Sequence, residues 1–316
     1  MSAFPPISLL GLVKVEIGSG LAGRERLPTT LFEQAISGNR RSLAKLLTAV
    51  ENGEVSHDSL GISPREVDGS VIGVTGAPGV GKSCLIDRLL STWTSNGLKI
   101  AVIAVDPSSP LTGGALLGDR VRMESADNNP NVFVRSFATR NQPGGMPNAV
   151  VLAADVMRHC DYDVVLIETV GAGQSEIRVV SVADRIVLVE APLRGDEVQA
   201  EKAGVIELAD MIVVNKSDLE GSDRAAANII SALEVTINPP PVLLASAKTS
   251  EGIEELADQL RTLPAKPGAE LARARERLLT AWDSALLSRK DINEVLDSLT
   301  SSDNSAQEWV EKNLRW

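Results

Sequence analysis

The sequence is short of aromatic residues, cysteine and histidine, and each shortage narrows the class of protein. Aromatic residues make up 3% of the 316 residues, so a hydrophobic core must be built mainly from aliphatic side chains. The two cysteines, Cys84 and Cys160, lie far apart and form neither a disulfide framework nor a metal-binding knuckle. We interpret them as two reduced, buried thiols of a cytoplasmic protein.

Excess basic charge and long apolar runs are also missing. The formal net charge is −11, whereas proteins that bind nucleic acid or an anionic membrane normally present a basic face. No run reaches the roughly 18 apolar residues that a membrane-spanning helix needs. Residues 1–20 lack the basic start and the cleavage site of a signal peptide. We therefore expect a cytoplasmic protein that binds neither nucleic acid nor membrane.

Short aliphatic runs alternate with helical patterns over residues 66–263. The runs show no regular polar alternation, which is typical of parallel strands covered on both faces. Strand–helix alternation predicts an α/β fold with a doubly wound, mostly parallel sheet. The predicted strands are residues 71–75, 100–105, 132–134, 164–167, 186–189, 212–214 and 242–245. The predicted helices between them are residues 82–95, 147–160, 197–208 and 224–235.

Both ends of the chain have helical patterns without strands. Residues 1–65 form a tail and then a helical extension, with a capping box that begins at Thr30 and a helix over residues 35–52. Residues 264–316 form a helical arm that includes a helix over residues 271–289. The sequence thus predicts three parts, which are residues 1–65, 66–263 and 264–316.

A glycine-rich loop follows the first predicted strand and opens a helix, which is the context that a phosphate-binding loop requires. Glycines let backbone N–H groups curve around phosphates, and the helix N-terminus adds partial positive charge. Lys82 is expected to reach the β- and γ-phosphates, and the Ser83 hydroxyl is expected to ligate Mg²⁺. The predicted nucleotide contacts here are Gly76, Ala77, Pro78, Gly79, Val80, Gly81, Lys82, Ser83 and Cys84.

Two later loops, each after a predicted strand, indicate guanine as the base. The first reads N-K-x-D, in which the Asp218 carboxylate can accept two hydrogen bonds from guanine but not from adenine. Asn215 would brace the phosphate loop, and the Lys216 stem would lie on the ring. The second loop reads S-A-K, and a backbone N–H there can donate to guanine O6. The predicted base-binding residues are Asn215, Lys216, Asp218, Ser246, Ala247 and Lys248.

Carboxylates end two further predicted strands. Asp106 and Glu168 would meet at the carboxyl edge of a parallel sheet, beside the nucleotide. Asp119 is a third candidate. Oxygen ligands of this kind suit Mg²⁺, so we predict a metal set of Ser83, Asp106, Asp119 and Glu168. With Lys82, the three carboxylates also form the predicted catalytic set.

The chain resembles the MeaB/ArgK/MMAA family of P-loop GTPases. The resembling stretches, which look like the first, second and third switches of that family, are residues 105–119, 168–176 and 195–204. The resemblance implies that Asp106, Asp119 and Glu168 surround Mg²⁺, and that GTP hydrolysis to GDP is slow without a partner. It also implies a homodimer formed by C-terminal helices. The implied partner is an adenosylcobalamin-dependent acyl-CoA mutase, such as methylmalonyl-CoA mutase, whose cofactor loading and protection the GTPase assists.

The third switch departs from the family pattern, because Leu193 and Arg194 follow Pro192 where that pattern has glycine. The partner could therefore be a mutase for another acyl-CoA. Two other functions stay open. A nickel-inserting metallochaperone GTPase would need clusters of histidine or cysteine, and none has ligand spacing here. A nucleotide-dependent small-molecule kinase would need an acceptor pocket that no sequence pattern reveals.

Overall fold

Seven parallel strands form one sheet in the order β3-β2-β4-β1-β5-β6-β7. The computed structural model describes residues 22–64, 70–106, 123–127, 129–138, 149–169, 178–192, 205–206, 208–234, 236, 238–287, 289, 291–301 and 305–313. The strands are β1 Ser70–Thr75, β2 Ile100–Asp106, β3 Val132–Ala138, β4 Val164–Thr169, β5 Arg185–Glu190, β6 Met211–Val214 and β7 Val242–Leu244. The predicted doubly wound α/β sheet is confirmed.

Helices cover both faces of the sheet and continue beyond it. They are α1 Ala22–Ile36, α2 Arg40–Glu51, α3 His57–Leu60, α4 Lys82–Ser95, α5 Ala149–His159, α6 Ser222–Leu233, α7 Ile253–Thr262, α8 Glu270–Leu287, α9 Ile292–Ser301 and α10 Ala306–Asn313. In the part of the chain that is described, none of the helices is long and apolar enough to cross a membrane. Most of the predicted helix over residues 197–208 and most of the three switch stretches lie outside the described residues.

The aliphatic strands bury side chains on both faces. All seven residues of β2 are buried. Successive residues of a strand point to opposite faces, so Ala101 and Ile103 join one apolar cluster with α5, whereas Ile100 and Val102 join another with α4 and α7. The uninterrupted apolar runs in the sequence reflect this two-sided burial.

The start of the helix predicted over residues 35–52 was wrong, because two helices meet there, and the structure confirms this helix over Arg40–Glu51. Gly38 adopts a φ of +93° between α1 and α2, a conformation that an L side chain rarely adopts. The Asn39 side chain then caps α2 by accepting a hydrogen bond from the backbone N–H of Ser42 at 3.0 Å. The capping box predicted at Thr30 was also wrong, because Thr30 lies inside α1.

A buried carboxylate joins α8 to the sheet. Asp210 precedes β6 and accepts hydrogen bonds from the backbone N–H of Ile186 at 2.7 Å and of Lys266 at 2.6 Å. The guanidinium of Arg273, on the first turn of α8, lies 2.5 Å from the same carboxylate. The C-terminal helical segment is therefore fixed to the strands whose opposite ends form the candidate site.

Candidate nucleotide-binding site

The phosphate loop is confined between β5 and the segment that follows β6. A Cβ atom on Gly76 would lie 2.2 Å from the carbonyl oxygen of Val189, and one on Gly81 would lie 2.4 Å from the Asn215 side-chain nitrogen. Both glycines also have positive φ angles, of +141° and +96°. These positions need glycine because the backbone of the loop passes directly against its neighbours.

Lys82 lies under this loop, at the start of α4. Its side chain is buried, and its Nζ donates to the carbonyl oxygens of Gly76 at 2.7 Å and Ala77 at 3.2 Å. An ammonium group has three donors and no acceptor. The loop therefore holds a positive charge beside its backbone amides, at the N-terminus of a 14-residue helix.

Ser83 and Glu168 are in direct contact. The Ser83 hydroxyl donates to Glu168 Oε1 at 2.7 Å. Glu168 lies on β4, and Asp106 ends the adjacent strand β2; the two carboxylates are buried, at 4% and 3% exposed. The structure thus brings three of the four predicted metal ligands to one edge of the sheet. The fourth, Asp119, lies outside the described residues.

Asp218 lies in the N-K-x-D loop that follows β6, and it keeps its negative charge. The Ser246 hydroxyl donates to Asp218 Oδ1 at 2.6 Å, and Lys248 Nζ lies 3.6 Å from Oδ2. The hydrogen bond from Ser246, assisted by the Lys248 charge, holds the pKa of Asp218 below its ordinary value against a smaller opposing effect of desolvation. The carboxylate is thus an acceptor at both oxygens.

Asn215 ties the two base-binding loops to the phosphate loop. Its Nδ2 donates to the carbonyl oxygen of Val80 at 2.9 Å, and its Oδ1 accepts from the backbone N–H of Ala247 at 3.1 Å. Lys216 Nζ donates to the carbonyl oxygen of Gly79 at 2.7 Å. The three motifs found in the sequence therefore form one connected structure.

Sequence reasoning missed two residues in this region. Arg88, on α4, donates from Nε to the carbonyl oxygen of Ala247 at 2.8 Å, but nothing in the sequence pairs residues so far apart. Glu190 is buried at the carboxyl end of β5, and it follows a predicted strand in the same way as Asp106 and Glu168 do. That signal could have identified Glu190.

The two cysteines differ, contrary to the prediction that both are buried. Cys84 is exposed, because it lies on the solvent side of the first turn of α4 rather than among the apolar residues of that helix. Cys160 is buried, and its burial raises the pKa of its thiol to about 12. Of the two thiols, Cys84 is the one next to the phosphate loop.

Comparison with known proteins agrees with this arrangement. The model of the family described as methylmalonyl Co-A mutase-associated GTPase MeaB matches residues 43–298. A putative GTPase of Pyrococcus abyssi is 42% identical over 240 residues, which is 73% of this chain and 74% of that protein. The mitochondrial methylmalonic aciduria type A homolog of Mus musculus is 34% identical over 290 residues, which is 83% of this chain and 70% of that protein.

A solved structure shares the fold. The crystal structure of a protein named LAO/AO transport system kinase superposes with a TM-score of 0.61 and 25% identity, over 91% of this chain and 96% of that one. The family model covers well over half of the chain, and the relatives named as GTPases cover more than two thirds of it. The chain therefore belongs to the family of methylmalonyl-CoA mutase-associated GTPases, MeaB, and is a P-loop enzyme that hydrolyses GTP.

Proposed function

We propose that this GTPase is a Mg²⁺-dependent chaperone that assists cofactor loading and protection of an adenosylcobalamin-dependent acyl-CoA mutase. The proposed binding of GTP rests on one observation. Asn215 connects the phosphate loop, the N-K-x-D loop and the S-A-K loop. The family description and the named methylmalonic aciduria relative support the mutase as partner.

The donor set at the sheet edge fits Mg²⁺. A hydroxyl and a carboxylate are already 2.7 Å apart at Ser83 and Glu168, and Asp106 adds a second buried carboxylate. Hard oxygen ligands of this type are the ones that Mg²⁺ prefers. When bound, the ion would neutralise charge on the phosphates. Ser83, Asp106 and Glu168 would hold it, together with Asp119.

The chain's own residues supply positioning and charge. Backbone N–H groups of the phosphate loop and the Lys82 ammonium would bind the β- and γ-phosphates. The partial positive charge at the N-terminus of α4 favours the same negatively charged groups. Phosphoryl transfer needs little covalent chemistry from a protein, so in-line placement of water and stabilisation of charge provide the rate. Because no described residue is an obvious general base, we propose slow turnover that the partner accelerates.

Base selection would depend on Asp218. An ionised carboxylate with two acceptor oxygens matches the adjacent N–H donors of guanine, whereas adenine would leave it unpaired. The lowered pKa of Asp218 supports this role, because protonation would remove an acceptor. The backbone of the loop at Ala247 would contact guanine O6.

The C-terminal helices would form the homodimer contact. Several large apolar side chains on α8, α9 and α10 are exposed: Leu271, Leu278, Trp282, Leu296 and Val310. Apolar surface of this kind on a soluble protein marks a contact site. We accordingly propose residues 264–316 as a dimerisation arm, residues 66–263 as the GTPase domain and residues 1–65 as a helical extension. The third switch, with Leu193 and Arg194, would contact the mutase.

A second candidate function follows from the similar structure that is named a transport system kinase. In that function, the terminal phosphate would pass to a small molecule instead of water. Incubation with γ-³²P-labelled GTP separates the two functions, because a chaperone releases labelled inorganic phosphate, whereas a kinase yields a labelled metabolite.

The mutase proposal is tested by mixing the purified chain with each adenosylcobalamin-dependent mutase of the same cell. We expect one mutase to bind in a GTP-dependent manner and to accelerate GTP hydrolysis at least tenfold, on the order of a 1.4 kcal/mol lower barrier. Lys82→Ala should abolish hydrolysis, and Lys45→Ala, at an exposed position of α2, is the matched control. If no mutase changes the hydrolysis rate or binds, the proposed partner is wrong.

A further inference from the structure

A cavity of about 510 Å³ lies at the end of β1 away from the phosphate loop. Val71, near the amino end of β1, lines this cavity, whereas Gly76 follows the carboxyl end of the same strand. Five strand residues span roughly 16 Å, so the cavity is separate from the nucleotide site. Its other walls come from α5, from α8 and from the turn that contains Ser181.

The walls are mainly aliphatic and suit the hydrocarbon part of a small ligand. Val71, Val151, Ala154 and Val182 line the cavity. Its volume falls within the range of about 300–1,000 Å³ in which proteins hold small molecules. Ala281, on α8, is exposed and also lines the cavity, so a ligand can enter beside this residue.

Two buried polar groups line the same space. Thr280 is 8% exposed and Arg158 is 5% exposed. Among the described residues, neither Thr280 Oγ1 nor Arg158 Nε has a hydrogen-bond partner. Buried polar atoms are normally paired, and both of these atoms can donate to a ligand. The terminal nitrogens of Arg158 pair with Asp155 and Asp184, which holds the guanidinium in place.

The polar part of the wall favours an anionic acceptor. Arg277 also lines the cavity, and its guanidinium group can only donate hydrogen bonds. The lining carboxylate, Asp155, is engaged by His57 Nε2 at 2.9 Å and lies 3.7 Å from Arg158 Nη1. Hydrogen bonds from a guanidinium to a carboxylate are stronger than those to a neutral acceptor. The lining therefore combines an aliphatic surface for a hydrocarbon chain with hydrogen-bond donors for a carboxylate.

We propose that this cavity binds a small aliphatic carboxylate, with its head group at Thr280 and Arg158 and its chain against the aliphatic wall. The site is independent of GTP chemistry. Octanoate is a suitable probe, and octanamide has the same chain with a neutral head group. Calorimetry with the full chain, saturated with GDP, should show one octanoate bound per chain and octanamide binding at least tenfold more weakly.

Two variants of α8 locate the site. Thr280→Val removes the hydroxyl at nearly constant volume and should weaken octanoate binding about tenfold, which is the value of one hydrogen bond to a charged group. Ala281→Phe should block the cavity and weaken octanoate binding more than tenfold. Thr262→Val and Ala274→Phe are matched controls at exposed positions that do not line the cavity, and both should bind octanoate as the unmodified chain does.

The proposal fails if the unmodified chain does not bind octanoate, or if all four variants bind it equally. Equal affinity for octanamide would also overturn it, because the carboxylate would then contribute nothing. Circular dichroism and thermal melting identify any variant that does not fold. If Ala281→Phe does not fold, the isosteric Thr280→Val change decides between the outcomes.

Discussion

Asn215 donates a hydrogen bond from Nδ2 to the backbone carbonyl oxygen of Val80 at 2.9 Å, so one side chain joins the base-binding segment to the phosphate loop. The other end of the same amide accepts from the backbone of Ala247. Asn215 is only 1% exposed. A single buried amide therefore positions both the base site and the phosphate site.

The change Asn215→Ala should weaken GTP binding at least tenfold and destabilise the fold. Removal of the amide leaves the Val80 carbonyl and the Ala247 N–H unpaired in a buried place, at a cost of about 1–3 kcal/mol each. Calorimetry gives the affinity, and urea denaturation gives the free energy of unfolding. Asn313→Ala, whose side chain makes an exposed bond to Trp309, is the control and should change neither value. Unchanged GTP affinity in Asn215→Ala would disprove the bracing role.

The change Asp218→Asn should shift the preference from GTP to xanthosine triphosphate. An amide presents a donor to the N–H group of guanine, whereas it complements the extra carbonyl of xanthine. We expect GTP affinity to fall by about a hundredfold or more, because a buried hydrogen-bonding site discriminates strongly. Competition binding with both nucleotides measures the shift. Retention of the original GTP affinity would contradict the assignment of guanine.

The Ser246 hydroxyl should control the pH at which Asp218 loses its charge. Its hydrogen bond is the main cause of the lowered pKa of Asp218. The stabilising effect of the ionised group is present above its ordinary pKa of about 3.9 and is lost only as pH falls through the lower folded value. In Ser246→Ala, the pKa should rise toward the ordinary value, so GTP binding should fail at a higher pH. Carbon-13 NMR titration of Asp218 measures this change.

The control for this titration is Ser298→Ala, because the Ser298 hydroxyl is exposed and donates to the carbonyl oxygen of Val295 within α9. It should leave the titration of Asp218 unchanged. An identical pKa of Asp218 in Ser246→Ala and in the unmodified chain would show that another group sets its charge.

Motifs predicted the strand ends of the site and the brace from Asn215 to the phosphate loop, but not the contacts that Arg88 and Arg135 make. The helix predicted over residues 82–95 is Lys82–Ser95 in the structure, because a phosphate loop fixes its start. The strand predicted over residues 132–134 extends to Ala138. The charged Arg135 interrupts the apolar run, so the sequence pattern did not predict that extension. The Arg135 side chain lies at the sheet edge and pairs with Glu51 of α2 at 2.8 Å. Local apolar patterns do not reveal such edge pairing.

Arg88 shows the same limit within the site. Its bond to Ala247 spans 159 positions in the sequence and depends on how α4 packs beside the S-A-K loop. No spacing rule relates the two residues, whereas the roles of Asn215 and Asp218 follow from a motif. Sequence reasoning therefore recovered the residues proposed to touch the nucleotide better than those that position them.

The change Arg88→Met should lower GTP affinity about fivefold to tenfold, because the loop at Ala247 loses a charged donor. The methionine keeps much of the side-chain volume, so the fold should persist. Arg88→Lys should restore part of the affinity, and Arg41→Met, at an exposed position of α2, is the matched control. The affinities for GTP and for inosine triphosphate are measured for the unmodified chain and for these three variants. If neither affinity differs among the four proteins, Arg88 does not support the nucleotide site.

The change Arg273→Met should loosen the C-terminal helices from the sheet. It leaves the Asp210 carboxylate, whose side chain is 0% exposed, without its cationic partner. Removal of one member of a buried ion pair costs about 3–5 kcal/mol. We expect the free energy of unfolding to fall by that amount and hydrogen exchange along α8 to accelerate. Arg275→Met, exposed on the same helix, should have neither effect. If the two variants unfold alike, the Asp210 pair does not hold α8, and the contact between α8 and the turn Val179–Ser181 must do so instead.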